Sequence, residues 1–494
     1  MNIKLTAFSF LILASATCAT TAQAAIREMT LEEAITTARL QSVDAAVALD
    51  ELKSAYWEYR TFRADLLPEV NFSASVPGYS KQYTPYQLDD GTYTFVRNNY
   101  MDMSGEISVS QNIWLTGGTL SLNTSIDFLR QLGDDASSRF MSIPVALTLN
   151  QPIFGTNHVK WNRRIEPVRY EEAKAQFLSA TETVAMTAIN YFFNLLMAKE
   201  NVAVAKQNLA NAETLYDVAV AKREMGKISE NDLLQLELNR LNARSTLTDA
   251  ESSLKSNMFK LRSFLALDDD VEIEPIVPER VPKIDVVYTD ALDKALANNS
   301  FSKNIRRRQL EADYEVAKAK GNLREISLFA QVGYTGTDGD FGGAYRNLKD
   351  NQVVQVGIKI PLLDWGKRRG KVKVAESNRQ VVESRLRQEA MNFNQDLFIL
   401  VERFNNQQQQ VEIAALADTI AQKRYHTNVE TFIIGKISTL DLNDSQTKKD
   451  SQRQEYVNEL FLYWYYYYQL RSLTLWDYTR NRGIDADIDR IVRH

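Results

Sequence analysis

One eight-residue phrase occurs twice in the chain, as GKISENDL from Gly226 and as GKISTLDL from Gly435, with 209 positions between the two glycines. Repetition at this distance constrains the fold more than any local pattern, because a duplicated unit must bury the same faces twice. Other matches keep the same order. Ala34 matches Ala291 and Ala38 matches Ala295 at an offset of 257, and Leu67–Phe72 matches Leu323–Leu328 at 256. Pro152 then matches Pro361 at 209, 48 below the opening offset of 257, so the first copy carries an insertion of about that size between Phe72 and Pro152. The chain is a duplicated unit, with repeat 1 over residues 25–275 and repeat 2 over 276–494.

Ahead of repeat 1, residues 1–24 have one lysine, an apolar run from Leu5 to Ala14 and Ala22-Gln23-Ala24, the pattern of a cleavable secretory signal peptide. The only cysteine, Cys18, lies in that segment, so packing rather than disulfides must hold an exported fold. The formal charge of −5 argues against nucleic acid as a partner. No segment has the ~18 to 20 apolar residues of a membrane-spanning helix. An exported chain of this kind is either soluble or crosses a membrane through alternating strands.

Each repeat opens with helical periodicity, passes through strands and ends in long helices. No proline lies between Pro167 and Pro275 or after Pro361, and a helix over Val168–Met225 would run ~85 Å. Heptads line these stretches. Ala390, Leu397, Phe404, Val411, Tyr425 and Phe432 share one register, broken by Asp418, with Phe393, Leu400, Ala414 and Ala421 beside it. Ala188, Leu195, Val202, Leu209 and Tyr216 do the same in repeat 1, beside an alanine-rich column from Val184 to Ala219. Such spacing predicts coiled-coil-like walls.

The repeated phrase then falls in the turn of a helical hairpin. Gly226 and Gly435 suit the left-handed residue that stops a helix, and Ser229 with Asp232, like Ser438 with Asp441, spells a capping box. That role alone is sufficient for the phrase. It leaves Asp444 unexplained, one helical turn beyond Asp441 and on the same face.

Between the helical parts the period is two. Residues 70–76, 105–115, 119–129, 142–154, 326–334 and 353–362 alternate, with Thr116-Gly117-Gly118 as a hairpin turn. These lengths suit a tilted membrane barrel. Residues 88–95 and 336–345 read as exposed loops, and Asp338 and Asp340 lack the closing carboxylate of a calcium loop. Basic clusters follow the strands: Lys160, Arg163 and Arg164, then Lys367, Arg368, Arg369 and Lys371. At helix N-termini they oppose the dipole, so either anionic lipid or plain solvation must accommodate them. The aromatic run Glu459–Trp476 has rings on every helical face and reads as packing at a subunit interface.

With openings such as LEEAITTA, strand ends such as QPIFG and LLDWG, and the paired tips, the chain resembles the TolC-like outer-membrane efflux proteins over nearly its whole mature length. The resemblance implies an α+β membrane protein built from a duplicated helix, strand-pair and long helical hairpin unit. It implies a homotrimer in which four strands per chain form one twelve-stranded β-barrel above a coiled-coil-like periplasmic tunnel. Its partners would be a periplasmic adaptor protein, an inner-membrane transporter and outer-membrane lipid, and its work the export of small molecules. Carried onto this sequence, Gly226, Lys227, Ile228, Ser229, Asp232, Gly435, Lys436, Ile437 and Ser438 become adaptor-contacting tips. Asp441 and Asp444 become a cation-selecting entrance of stacked carboxylate rings. The family often closes this entrance with a tyrosine and an arginine near the second tip, where this sequence has Phe432, Lys436 and Ile437. The inserted hairpin, over about 78–129, could widen the barrel to six strands per chain or sit outside it as a cap, with 142–154 the preferred barrel strand.

Two other functions compete. A duct for protein secretion would share the architecture, and a soluble periplasmic coiled-coil scaffold would explain the helices without a membrane. Catalysis has no support: His158, His426 and His494 are far apart, no nucleophile elbow or phosphate loop is present, and no catalytic residue, cofactor or resident metal site is expected.

Overall fold

The computed structural model describes residues 25–133, 136–278, 281–323, 325–359, 363–434 and 436–492; residues 1–24, expected from the sequence to be a signal peptide, lie outside them. Repeat 1 runs β1 (Ala25–Met29), α1 (Leu31–Gln41), α2 (Val43–Ala64), β2 (Glu69–Gln87), β3 (Tyr93–Ile113), β4 (Gly118–Gln131), β5 (Ser137–Phe154), α3 (His158–Glu224), α4 (Glu230–Phe264) and β6 (Val271–Pro275). Repeat 2 runs α5 (Tyr288–Asn298), α6 (Ser300–Gly321), β7 (Glu325–Asp338), α7 (Phe341–Ala344), β8 (Leu348–Lys359), α8 (Lys367–Ile433) and α9 (Thr439–Thr474). It closes with β9 (Trp476–Asp477), β10 (Arg482–Gly483) and α10 (Ile488–Ile491). The duplication is visible in burial: Ala34, Ala38, Ala291 and Ala295, paired by offset alone, are all fully buried.

The chain forms two compact units. The first contains residues up to Ala45 with Val184–Lys283 and Gln407–Tyr465. There β1 pairs in parallel with β6, and α1 is closed by a Thr30–Glu33 capping box. The heptad positions Leu195, Val202, Ala205, Val411, Ala414 and Ala421 are buried. Asp418, the break in the pattern, is buried as well. Arg453 of α9 explains it, donating to Asp418 at 3.3 Å and to Glu200 of α3 at 3.0 Å, so a salt bridge replaces an apolar contact.

The second unit contains Ala46–Thr183, Ile284–Asn406 and Tyr466 onward. Its six-stranded sheet has the order β2-β3-β4-β5-β7-β8, antiparallel throughout. Helices pack in a row: Tyr59 of α2 stacks on Tyr170 of α3 at 4.9 Å, Arg307 of α6 binds Glu172 of α3 at 2.6 Å, and Phe301 of α6 stacks on Phe393 of α8 at 4.3 Å. Arg471 forks onto Glu182 at 3.0 and 3.2 Å and reaches Asp477 at 3.0 Å. All three are buried, which pins the C-terminal segment to α3. Burial pushes the Asp477 carboxyl up, but the Thr479 hydroxyl, the Arg471 charge and the Tyr467 hydroxyl outweigh it and bring it down to about 2.

Three expectations need correcting. Helix α3 begins at His158, nine residues before Pro167, which sits inside it. Asn157 starts the helix by accepting from the Lys160 N–H at 2.9 Å, and burial of Val159 and Ile165 offsets the bond a proline forfeits. The segment 88–95 is only partly loop, since β3 starts at Tyr93 after a tight turn with Gly91 at φ +84°. The aromatic run is also not simply an interface: Tyr463, Tyr467 and Tyr468 are buried within the chain, with the Tyr463 hydroxyl on the Pro282 carbonyl and that of Tyr467 on Asp477.

One arginine of each basic cluster finds a partner inside the chain. Arg163 lies 4.2 Å over Trp114, and Arg368 donates to the Asn322 carbonyl at the end of α6. Asp364 accepts from the Arg368 and Gly366 N–H groups, supplying the negative charge that the N-terminus of α8 lacks.

Candidate functional site

Both repeated phrases are helical turns, and both lie in the first unit. At the first tip Gly226 has φ +69°. Its N–H donates to the Arg223 carbonyl at 2.8 Å, and the Lys227 N–H to the Lys222 carbonyl at 2.9 Å, the paired closure of a Schellman motif. Ser229 then caps α4: its hydroxyl accepts from the Asp232 N–H at 3.1 Å, while the Asp232 carboxylate accepts from the Ser229 N–H and hydroxyl.

The second tip repeats this where it can be described. The Lys436 N–H donates to the Thr431 carbonyl at 3.1 Å. Ser438 accepts from the Asp441 N–H at 3.2 Å, and its own hydroxyl donates to Asp441 at 2.6 Å. Gly435 lies outside the described residues. Lys227 and Lys436 are exposed, and Ile228 and Ile437 are half-buried.

The two candidate entrance carboxylates are both exposed, and each is engaged differently. Asp441 belongs to its own capping box. The Ser438 hydroxyl and N–H, with the Arg424 charge behind them, hold its carboxyl below the usual carboxylate range, as Ser229 does for Asp232. Asp444 accepts from Arg424 of α8 at 2.7 Å. Neighbouring Tyr425 also turns inward: Asn211 of α3 donates to its hydroxyl at 2.5 Å, and Lys449 of α9 lies 4.5 Å from its ring. This arginine and tyrosine lie about two helical turns before Phe432, farther from the tip than the resemblance implies. Asn208 donates to Asp450 at 2.8 Å, tying α3 to α9. Below the tips, α3, α4 and α9 enclose a cleft of about 310 Å³ with an amide-rich lining that includes Asn208, Asn239, Asn242, Asn443 and Gln446.

Among the described residues, no group of three or more His, Cys, Asp or Glu side chains could hold a metal ion, and no helix is long and apolar enough to cross a membrane. The chemistry available at the tips is ionic attraction and hydrogen bonding.

The sequence profile of the outer membrane efflux proteins matches residues 34–267 and 292–461, so both repeats are covered. The chain belongs to the outer membrane efflux protein family. It is an outer-membrane efflux channel and not an enzyme. Solved structures share the fold at low identity. The CmeC outer membrane channel of Campylobacter jejuni superposes with a TM-score of 0.66 at 15% identity, over 94% of this chain and 88% of that one. The outer membrane protein VceC of Vibrio cholerae gives 0.62 at 15% identity, over 92% and 97%. The open-state MtrE channel of Neisseria gonorrhoeae gives 0.59 at 13% identity, over 90% and 88%. A comparison with curated proteins found no match.

Proposed function

We propose that this efflux channel is the exit duct of a tripartite system: a homotrimer that passes small molecules across the periplasm and outer membrane, working with a periplasmic adaptor and an inner-membrane pump. The observation that carries this reading is the pair of matched, capped hairpin tips in one unit, with Asp441 and Asp444 beside the second. In a trimer three chains bring six tips and six carboxylates to one mouth. Residues 226–229 and Asp232, with 435–438, form the surface that meets the adaptor. Leu234, Leu238 and Leu241, exposed at helical spacing on α4, extend that surface with apolar area.

The mouth favours cations, because Asp441 is charged at neutral pH and Asp444 shares its charge with Arg424. Outer-membrane lipid surrounds the strands, and the tips lie at the periplasmic end. Single-channel conductance in a planar bilayer tests the reading, with hexamminecobalt(III) added on the tip side. Block of the wild type that disappears in Asp441→Ala/Asp444→Ala is the expected result. A conducting pore whose block ignores the double substitution would sink the carboxylate entrance, and no conductance from folded protein would sink the duct.

A further inference from the structure

The inserted hairpin does not lie at the margin of the sheet. Strands β3 and β4 sit between β2 and β5, hydrogen-bonded on both sides. Cross-strand partners share a face of a sheet, so the register can be followed from edge to edge. One row reads Val70, Val109, Leu122, Leu147, Val332, Gln352. A second reads Gln111, Leu120, Leu149, Ala330, Val354. Rows of the opposite face read Asn71, Ser108, Asn123, Ala146, Gly333, Asn351 and Glu69, Ser110, Ser121, Thr148, Gln331, Val353.

One face is thus mainly apolar and the other mainly polar or small, on the inserted strands as on the rest. The apolar face is the open one: Val70 is 68% exposed, Leu122 45%, Leu147 47% and Val332 55%, whereas Ala146 on the other face is 2% exposed. A soluble sheet buries its apolar face; a membrane barrel turns it to lipid. Leu122 of β4 lies in the same row as Leu147 of β5, so a cap standing in water would expose one continuous half of an apolar surface for no return.

The sheet also ends in two open edges. Among the described residues β2 and β8 each pair on one side only, and open edges do not occur in hydrocarbon. Six strands are fewer than the eight of the smallest membrane barrels, so the sheet cannot close on itself. The fitting partner for each edge is the opposite edge of a second copy of this chain. Five successive antiparallel pairings leave β2 and β8 running in opposite directions, so a β2–β8 seam continues the alternation; an odd strand count would break it.

We propose that β3 and β4 are wall strands, that β2 of one copy pairs with β8 of the next, and that the assembled barrel has eighteen strands where the family resemblance implies twelve. The count rests on the homotrimer of the proposed function. At equal tilt and strand spacing the circumference scales with strand number, so the barrel is half again as wide, while the insertion adds no helix.

The experiment exploits the absence of cysteine after Cys18. Single substitutions Leu122→Cys, Asn123→Cys and Leu147→Cys are made in the full protein in lipid nanodiscs, and each is tested with a membrane-impermeant maleimide and with a lipid-confined quencher of a thiol-linked fluorophore. Leu122→Cys is expected to match Leu147→Cys, at least tenfold slower with maleimide than Asn123→Cys and strongly quenched from the lipid. A Leu122→Cys thiol as water-reactive as Asn123→Cys overturns the wall assignment. For the seam, Phe72→Cys is combined with Val354→Cys or Val356→Cys and oxidised; a covalent ladder ending at three chains is expected. Native mass separates the two readings. A mass of three chains with a water-exposed β4 leaves the duct standing and removes the eighteen strands, whereas a mass of two chains sinks the trimer and the count with it.

Discussion

Arg424 donates to Asp444 at 2.7 Å across 20 positions of sequence, from α8 to α9. One of the two carboxylates assigned to the channel mouth therefore has its counter-ion in the same chain. Three such pairs would neutralise half of the six carboxylates of a trimer, so cation affinity at the mouth depends on whether this pair holds.

Arg424→Ala should sharpen cation block. Both side chains are about half exposed, so stability should change by less than about 1 kcal/mol. With Asp444 released, hexamminecobalt(III) should block at a several-fold lower concentration, and Asp444→Ala should move it the other way. Bilayer titration of the two variants checks this. Equal blocking concentrations would remove Asp444 from the mouth.

Acid should loosen the tips. Asp232 and Asp441 have carboxyls held below their usual value by their capping serines. Their stabilising effect is therefore complete above the unfolded value of about 3.9 and lost as pH falls through the lower folded value. Amide exchange of residues 227–233 and 436–442 should stay protected down to about pH 4 and rise below it. Ser229→Ala, which removes the cap, should raise exchange at the first tip already at pH 7, at a cost of about 1 kcal/mol.

Gly226→Ala should be costly without any clash. Nothing lies within 4 Å of an added Cβ, but φ is +69°, so the penalty is backbone strain of about 1 to 2 kcal/mol. Increased exchange confined to the first tip, with an unchanged thermal midpoint for the whole channel, is the expected signature. An alanine variant with wild-type exchange would show that the turn is not held left-handed.

Arg471→Met should be the most damaging single change of those considered, because it removes the guanidinium that pairs with the buried carboxylates of Glu182 and Asp477. Breaking such a group costs about 3 to 5 kcal/mol. Thermal unfolding in detergent should fall by several degrees, and a Glu182→Gln variant, which keeps a hydrogen-bonding partner, should lose less.

Much of this was legible in the sequence because it depends on local chemistry. Gly226, Ser229 and Asp232 need only each other to make their turn, so the tips could be placed by spacing alone. The heptads predicted the buried faces of α3 and α8, and period-two alternation located the six strands of the large sheet but not the short strands β1, β6, β9 and β10. Pro167 misled because proline inside a helix is penalised but tolerated where the flanking residues are buried. Arg424 left no signal, since its partner is twenty positions away on another helix.

The sequence by itself determined the duplication, the hairpin tips, the strands of the large sheet and the absence of cysteine after Cys18, each a matter of residue type at short range. Only the tertiary structure decided that Asp418 is bridged by Arg453, that Asp444 is held by Arg424, and that the inserted hairpin lies inside the sheet. Those outcomes depend on which strand edges and helix faces come together. Period-two alternation is the same for a wall strand and for a cap; hydrogen-bond register, set by pairing across the chain, tells them apart.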